Sequence, residues 1–248
     1  MLKRERQAYI LHQINLHNRV LSSDLSSSIN VSEDTIRRDL NELAGTGKLT
    51  KVYGGALSKS FHKSFLRSDV YKAESKKLIA QKVLPLIKDG MFVLTSGGTT
   101  IVELARMLPE ALSATFFTGS VQAAYEYAQH PNIDVIFVGD KISKSSQISV
   151  GGEAIKKINQ IKADLCILGI NAIDTQNGIT DNDWDVVQVK RAMIETSESV
   201  IALSISDKVN TAQKITICSL NKLSTLITEL SAADPLFTAY REYGLQIL

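Results

Sequence analysis

Val31-Ser32-Glu33-Asp34-Thr35-Ile36-Arg37-Arg38-Asp39-Leu40 is the stretch that decides the fold. Ser32 is a helix-capping residue, because its short side chain can accept a hydrogen bond from a free N–H of the first turn. Glu33 and Asp34 then suit the positive end of the helix dipole. Ile36, Leu40 and Leu43 recur at i, i+4 and i+7, so they form one apolar stripe. Gly45 and Gly47 end the helix at about Ala44. With that stripe turned inward, Asp34, Thr35, Arg37, Arg38 and Asn41 lie off the core face.

Upstream, residues 3–16 read as a helix with Ile10, Leu11 and Ile14 on one side. Ser22 is expected to cap a short helix from Ser23 to Ser28, and Ile29-Asn30-Val31 to be the turn that follows. Downstream, Lys48-Leu49-Thr50-Lys51-Val52-Tyr53-Gly54-Gly55-Ala56 reads as a short basic β-ribbon closed by a glycine pair. Two capped helices joined by a turn (about residues 20–39), then a ribbon, make a winged helix-turn-helix over residues 3–58.

In such a motif the second helix enters the major groove of DNA and presents its N-terminal residues to base edges. Arginine can read guanine with two hydrogen bonds or grip phosphate. The candidate DNA-binding residues are Ser32, Thr35, Arg37, Arg38 and Asn41 on the helix, with Lys48, Lys51, Tyr53, Gly54 and Gly55 in the wing. The wing lysines would add affinity and salt dependence without sequence choice. An isolated Arg-Arg pair is more often a solvated face paired with acids such as Asp34 or Asp39. The order of capped helix, turn, capped helix and basic ribbon tips the balance toward double-stranded DNA.

Charge is distributed accordingly. Residues 1–90 hold 16 Lys and Arg against 9 Asp and Glu, whereas residues 91–248 hold 12 against 17. A basic front and an acidic body suit a chain whose first part meets a polyanion. The apolar fraction of 44% can build a core. No apolar run approaches the roughly 20 residues of a membrane span, and the charged N-terminus lacks the apolar core of a signal peptide. The expected location is the cytoplasm, away from membranes. The two cysteines, Cys166 and Cys218, read as buried thiols rather than a disulfide or zinc site. His12, His17, His62 and His130 show no metal spacing, so neither a metal nor a cofactor is expected.

Residues 59–71 read as a linker, and residues 72–248 as a second domain for effector sensing and oligomerisation. A helix over about 71–87 opens that domain. Expected strands at 91–95, 115–117, 135–138, 165–169, 200–204 and 225–227 alternate with helices near 99–108, 120–129, 152–161, 185–198 and 236–243. Such alternation predicts an α/β domain with a mostly parallel sheet and helices on both faces. Polar, glycine-containing segments follow three successive strands: Thr95-Ser96-Gly97-Gly98-Thr99-Thr100, Thr118-Gly119-Ser120 and Gly139-Asp140. Free N–H groups at a helix start, with hydroxyls beside them, make a natural cradle for phosphate or carboxylate. Strand ends in succession are where a parallel sheet places its ligand crevice. Trp184 reads as a packing residue.

At Val31–Leu40, Leu43, Gly47, Leu49 and Gly54-Gly55-Ala56, with Arg4, Ile10, Val20 and Leu25 upstream, the sequence resembles the DeoR family of bacterial repressors. The resemblance extends over essentially the whole chain. It implies a C-terminal domain similar in fold to ribose-5-phosphate isomerase, a phosphorylated sugar or polyol as effector, and control of carbohydrate genes. The family places effector contacts at a loop of the form Asp-x-Gly-[Ser/Thr]-Thr and at a Thr-Asn-Ser triplet. Here the aspartate position holds Thr95 and the asparagine position Gly119. The resemblance also brings a carboxylate near Asp185, and Lys208, into the pocket. The candidate effector residues are therefore Ser96, Gly97, Gly98, Thr99, Thr100, Thr118, Gly119, Ser120, Gly139, Asp174, Asp185 and Lys208. A homodimer or homotetramer is expected, since symmetric operators match symmetric proteins.

An alternative is a sugar-phosphate isomerase carrying a DNA-binding head. That chemistry needs a general base at the sugar carbons. Asp174 or Asp185 are the candidates, but Thr95 stands where an acid is wanted. No catalytic residue is therefore assigned, and a regulator is expected rather than an enzyme.

Overall fold

The computed structural model describes residues 1–59 and 70–248. The chain divides into two compact units, Met1–Tyr71 and Lys72–Leu248. Most of the expected linker, and His62, lie outside the described residues.

The first unit contains α1 (Lys3–His17), β1 (Arg19–Leu21), α2 (Ser22–Ile29), α3 (Glu33–Gly45), β2 (Leu49–Val52) and β3 (Gly55–Ser58). Its core is small: Ile10 and Ile14 of α1, Val20, Leu25, then Ile36, Leu40 and Leu43 of α3, closed by Leu49 and Ala56. Ser32 caps α3, accepting a hydrogen bond from the Thr35 N–H at 3.3 Å. Ser22 is not a cap. It is the first helical residue and is buried, while Leu21 occupies the cap position without a side-chain bond. Gly45 sits inside the last turn of α3 rather than ending it, and Gly47 provides the left-handed turn (φ 72°). A third strand, absent from the sequence-based expectation, joins the wing: β1 pairs with β3, giving the order β1-β3-β2. Gly55 is required there, because a Cβ would lie 1.9 Å from the Val20 carbonyl oxygen.

The second unit opens with α4 (Ala73–Val83), shorter than the expected 71–87, and a 3-10 turn, Leu84–Leu86. Pro85 lacks the N–H that a continued α-helix would use. Then follow β4 (Phe92–Thr95), α5 (Thr99–Met107), β5 (Thr115–Thr118), α6 (Val121–Tyr127), β6 (Asp134–Phe137), β7 (Lys141–Ser143), β8 (Ile148–Val150) and α7 (Gly152–Ile158). The remainder is β9 (Ala163–Gly169), β10 (Ala172–Asp174), β11 (Gly178–Asp181), α8 (Trp184–Glu195), β12 (Ser197–Leu203), β13 (Ile215–Cys218), β14 (Thr225–Ile227), α9 (Thr238–Glu242) and β15 (Gln246–Ile247).

Seven strands form one sheet in the order β15-β14-β12-β9-β4-β5-β6. Every neighbouring pair in it is parallel. Burial explains why period-2 alternation is weak in these strands. In β9 both Cys166 and Leu168 on one face and Leu165 and Ile167 on the other are buried, as in a sheet covered on both sides. The chain builds β4, β5 and β6 outward in one direction, then returns to place β9 on the other side of β4. The strand order reverses between β4 and β9, the kind of switch point at which parallel sheets place their ligands. Two small antiparallel sheets, β7-β8 and β10-β11-β13, decorate the main one. Their short strands gave little periodicity to read.

Candidate DNA interface and effector crevice

In the first unit most of the DNA-binding candidates are accessible. Ser32, Arg37, Arg38 and Asn41 are exposed and Thr35 is half-buried. In the wing Lys48, Lys51, Tyr53 and Gly54 are exposed, with Tyr53 wholly so at the tip, while Gly55 is buried against β1. The Lys51 ammonium donates to the Asn41 side-chain oxygen, which ties the wing to α3. The two arginines differ. Arg37 pairs with Asp34 at 3.3 Å and Glu33 at 3.5 Å. Arg38 makes no ion pair among the described residues. Asp39 turns inward and pairs with Arg6 of α1, so it does not hold Arg38. Sequence reasoning missed that role of Asp39, although an acid at the edge of an apolar stripe was the signal. Arg4, counted in the resemblance, is exposed.

In the second unit the β4 and β9 loops are in contact. The Gly169 N–H donates to the Ser96 hydroxyl at 2.8 Å, and the Ser96 N–H to the Ile167 carbonyl at 3.1 Å. A Cβ on Gly169 would lie 2.6 Å from the Gly97 carbonyl oxygen. Gly98 (φ 116°) then starts α5, with Thr99 half-buried and Thr100 buried behind it. Several of the expected ligand hydroxyls are committed to the scaffold. Thr118 donates to the Thr95 carbonyl and accepts from the Ser120 N–H, each at 3.1 Å, and Ser120 caps α6. Gly139 is half-buried, its carbonyl accepting from Lys157 at 2.8 Å.

A small pocket lies at the ends of β4 and β5, lined by Ser96, Gly119, Ile148, Ser149, Lys190 and Met193 among others. Ser149 is 1% exposed, and its hydroxyl has no partner among the described residues. Buried hydroxyls are normally satisfied, which sets this one apart from Thr118 and Ser120.

Lys208 crosses from the turn after β12 to the end of β9, donating to the Ile170 carbonyl at 2.9 Å and the Asn171 side-chain oxygen at 3.3 Å. Asn171 donates to Asp181 at 3.1 Å, and Asp181 pairs with Lys190 at 3.1 Å, both of them buried. Burial works to raise the Asp181 carboxyl. The Lys190 ammonium and the donors of Asn182 and Asn171 outweigh it and hold the carboxyl below its ordinary range. Burial lowers Lys208 to about 7, helped by the like charges of Lys76 and Lys190 and opposed by Asp181.

Two expected acids are not part of this group. Asp174 accepts from the Gln176 and Asn177 N–H groups in the β10–β11 turn, at the far end of that hairpin from Asn171. Asp185 is exposed on the first turn of α8, whose cap is Asp183. Trp184 is 60% exposed rather than packed. Asn171, Asp181, Lys190 and Ser149 are not among the candidate effector residues taken from the sequence. The signal for Lys190 was a lysine set among the buried Val187, Val189, Ala192 and Met193 of α8, where a charge needs a partner.

Among the described residues no His, Cys, Asp and Glu group is placed to hold a metal ion, and no helix is long and apolar enough to cross a membrane.

Comparison with known proteins follows the same division. Residues 6–61 match the DeoR-like helix-turn-helix domain and residues 71–230 the DeoR C terminal sensor domain. The chain is 32% identical over 239 residues to the uncharacterized HTH-type transcriptional regulator YulB of Bacillus subtilis, covering 95% of this chain and 92% of that one. It is 30% identical over 209 residues to the glycerol-3-phosphate regulon repressor of Haemophilus influenzae, covering 84% and 82%. These relatives are named as regulators, not enzymes. A partial likeness to ribose 5-phosphate isomerase A of Methanocaldococcus jannaschii is too slight to argue from (TM-score 0.42, 15% identity, 56% of this chain and 55% of that one). The two family matches together span both units, and on that ground the chain belongs to the DeoR family of transcriptional regulators.

Proposed function

We propose that this regulator represses genes of carbohydrate metabolism. It binds operator DNA through α3 and the wing, and a phosphorylated sugar or polyol in the β4–β9 crevice relieves the repression. The observation that carries the effector half is the Gly97-Gly98-Thr99 helix start packed against Gly169 at the end of β9, where the Lys208 ammonium donates to the next carbonyl, that of Ile170. N–H groups and an ammonium favour a phosphate there. The H. influenzae relative's name points to a phosphorylated polyol for that protein, which supports the same class here. On the DNA side, Arg38 and Asn41 read bases, and Arg37, Lys48 and Lys51 hold phosphates. The protein works in the cytoplasm as a homodimer or homotetramer, since paired half-sites need paired winged units.

The test is a thermal-shift screen of the full chain against phosphorylated sugars and polyols, followed by gel shift on DNA from its own promoter region. A binder raises the melting temperature by mass action and releases the DNA. If no phosphorylated compound shifts the melting temperature, or binders leave the DNA complex intact, effector control through this crevice is wrong.

A further inference from the structure

Strand β6 closes one side of the seven-stranded sheet, and no strand among the described residues pairs with its outer edge. The Asp134 N–H bonds the Ala114 carbonyl at 3.1 Å and the Val138 N–H the Thr118 carbonyl at 2.8 Å. A parallel strand serves each neighbour with alternate residues. Asp134, Ile136 and Val138 therefore face β5, and the N–H and C=O groups of Val135 and Phe137 point outward. An open edge of this kind is a template for another strand, and proteins guard such edges with lysine, proline or a bulge. No lysine or proline stands at Val135, Ile136 or Phe137. The opposite edge, β15, is only two residues long.

The edge is apolar on both faces. On one face Ile136 lies level with Phe117, and the Phe117 ring meets Phe92 edge-on with centroids 5.3 Å apart. Phe117 is buried in the same core as Val138 and as Ala154 and Ile158 of α7, so this is the face that α7 covers. Yet Phe92 is 44% and Ile136 46% exposed. On the other face Phe137 is 42% exposed, beside the half-buried Val135. Charge is divided between the two ends of the strand. Asp134, at its start and on the α7 face, is exposed and makes no ion pair among the described residues. Past its finish the exposed Lys157 of α7 donates to the Gly139 carbonyl at 2.8 Å. The neighbouring Asp140 accepts from the N–H groups of Glu153 and Ala154 at 2.9 and 3.4 Å, at the start of α7.

We propose that β6 pairs antiparallel with β6 of a second copy of this chain, about a two-fold axis through Ile136, and joins two sensor units into one continuous sheet. This rests on the paired units proposed above and names the surface that pairs them. In this register Val135 of each copy lies opposite Phe137 of the other, and each such pair exchanges both of its N–H···O bonds. An axis at Val135 or at Phe137 would set that residue against itself and the other against a residue outside the strand. On one face the Phe137 ring packs over Val135 of the other copy, a favourable aromatic and β-branched pair. On the α7 face the two Ile136 side chains meet on the axis, each backed by Phe117. Asp134 stands opposite Val138 of the other copy, at the end where Lys157 sits. Each acid therefore meets a lysine, and the two acids stay apart. Complementary charge of this kind fixes the register and favours a second copy over an unrelated strand.

The test is sedimentation velocity of the full chain over a range of concentrations. The wild type should associate. Ile136→Lys sets two ammonium groups against each other on the axis and should weaken one association step, dimer to monomer or tetramer to dimer, by about tenfold or more. Asp134→Lys and Lys157→Glu should each do the same, since either change makes both charge contacts repulsive. Mixed in equal amounts, these two variants should associate again, because a mixed pair rebuilds both contacts. Asp134→Lys mixed with Lys156→Glu, changed at the adjacent exposed position of α7, should not. Rescue by mixing needs both variants folded, so it decides the matter by itself if Ile136→Lys fails to fold. Should the wild type associate while the charge variants match it, or the Asp134→Lys and Lys157→Glu mixture stay apart, or Lys156→Glu rescue equally well, this edge is not the contact and the regulator reading stands. Should the wild type stay monomeric throughout, the edge contact and the paired-unit reading fall together.

Discussion

Arg6 of α1 and Asp39 of α3 form an ion pair across the winged unit, with the Asp39 side chain 2% exposed. The Asp39 carboxylate also accepts from Gln7, and Lys3 pairs with Glu42 at 2.7 Å one turn further along α3. The acid inside the Arg37-Arg38-Asp39 run is therefore a structural brace, and the arginines before it are left facing outward. Asp39→Ala should strand Arg6 and destabilise the winged unit by about 1–3 kcal/mol. Urea denaturation followed by circular dichroism measures this, and an unchanged midpoint would show that the pair is solvated in practice.

Arg38→Ala should weaken operator binding by about 1–3 kcal/mol and relax base preference at one position. Its melting temperature should stay within about 1 °C of the wild type, since exposed substitutions away from structural features change stability little. Arg37→Ala should cost less, because Asp34 and Glu33 already compete for that guanidinium. Lys51→Ala should lower the slope of log affinity against log salt by about one. Gel shifts over a salt series separate the three. Equal losses for Arg37 and Arg38 would mean the two are not distinguished as described.

Asp181→Ala should be among the more damaging changes in the sensor unit, costing about 3–5 kcal/mol, because it leaves Lys190 charged, buried and unpaired. Adding Lys190→Met should recover much of the loss. A double-mutant cycle by chemical denaturation reads the coupling, and additive losses would dismiss the pair as a unit.

Stability should rise as pH goes from about 7 toward 10. Burial lowers the folded-state pKa of Lys208 to about 7 and of Lys76 to about 8, whereas the unfolded chain keeps its lysines near about 10.4. Between these limits the unfolded state binds more protons, so raising pH favours the folded one. Below pH 6.5 both states are protonated and the effect levels off. Urea midpoints at pH 6.5, 8 and 9.5 should climb in the wild type and climb less in Lys208→Met. A variant with the full slope would remove Lys208 as its source.

Thr99→Glu should abolish the response to any phosphorylated compound while sparing DNA binding, since a carboxylate at the first turn of α5 competes for the same N–H groups. Fluorescence of Trp184, the one tryptophan and exposed at the start of α8, gives a titration signal in the same unit. An unaltered titration would place the cradle elsewhere.

The sequence by itself determined what is local and periodic. The Ser32 cap, the Ile36-Leu40-Leu43 stripe, the glycine-closed wing and the β–α alternation of the second unit all depend on contacts within a few residues, so they can be read in order along the chain. Tertiary structure decided which charged groups share a dry space. Asn171, Asp181, Lys190 and Lys208 come from four separate segments, and their meeting follows from the strand order β12-β9-β4 rather than from any spacing. The same holds for the split between Ser120, spent on a helix cap, and Ser149, left unpartnered. A hydroxyl's role is fixed by what lies within hydrogen-bond reach, and only the folded chain sets that.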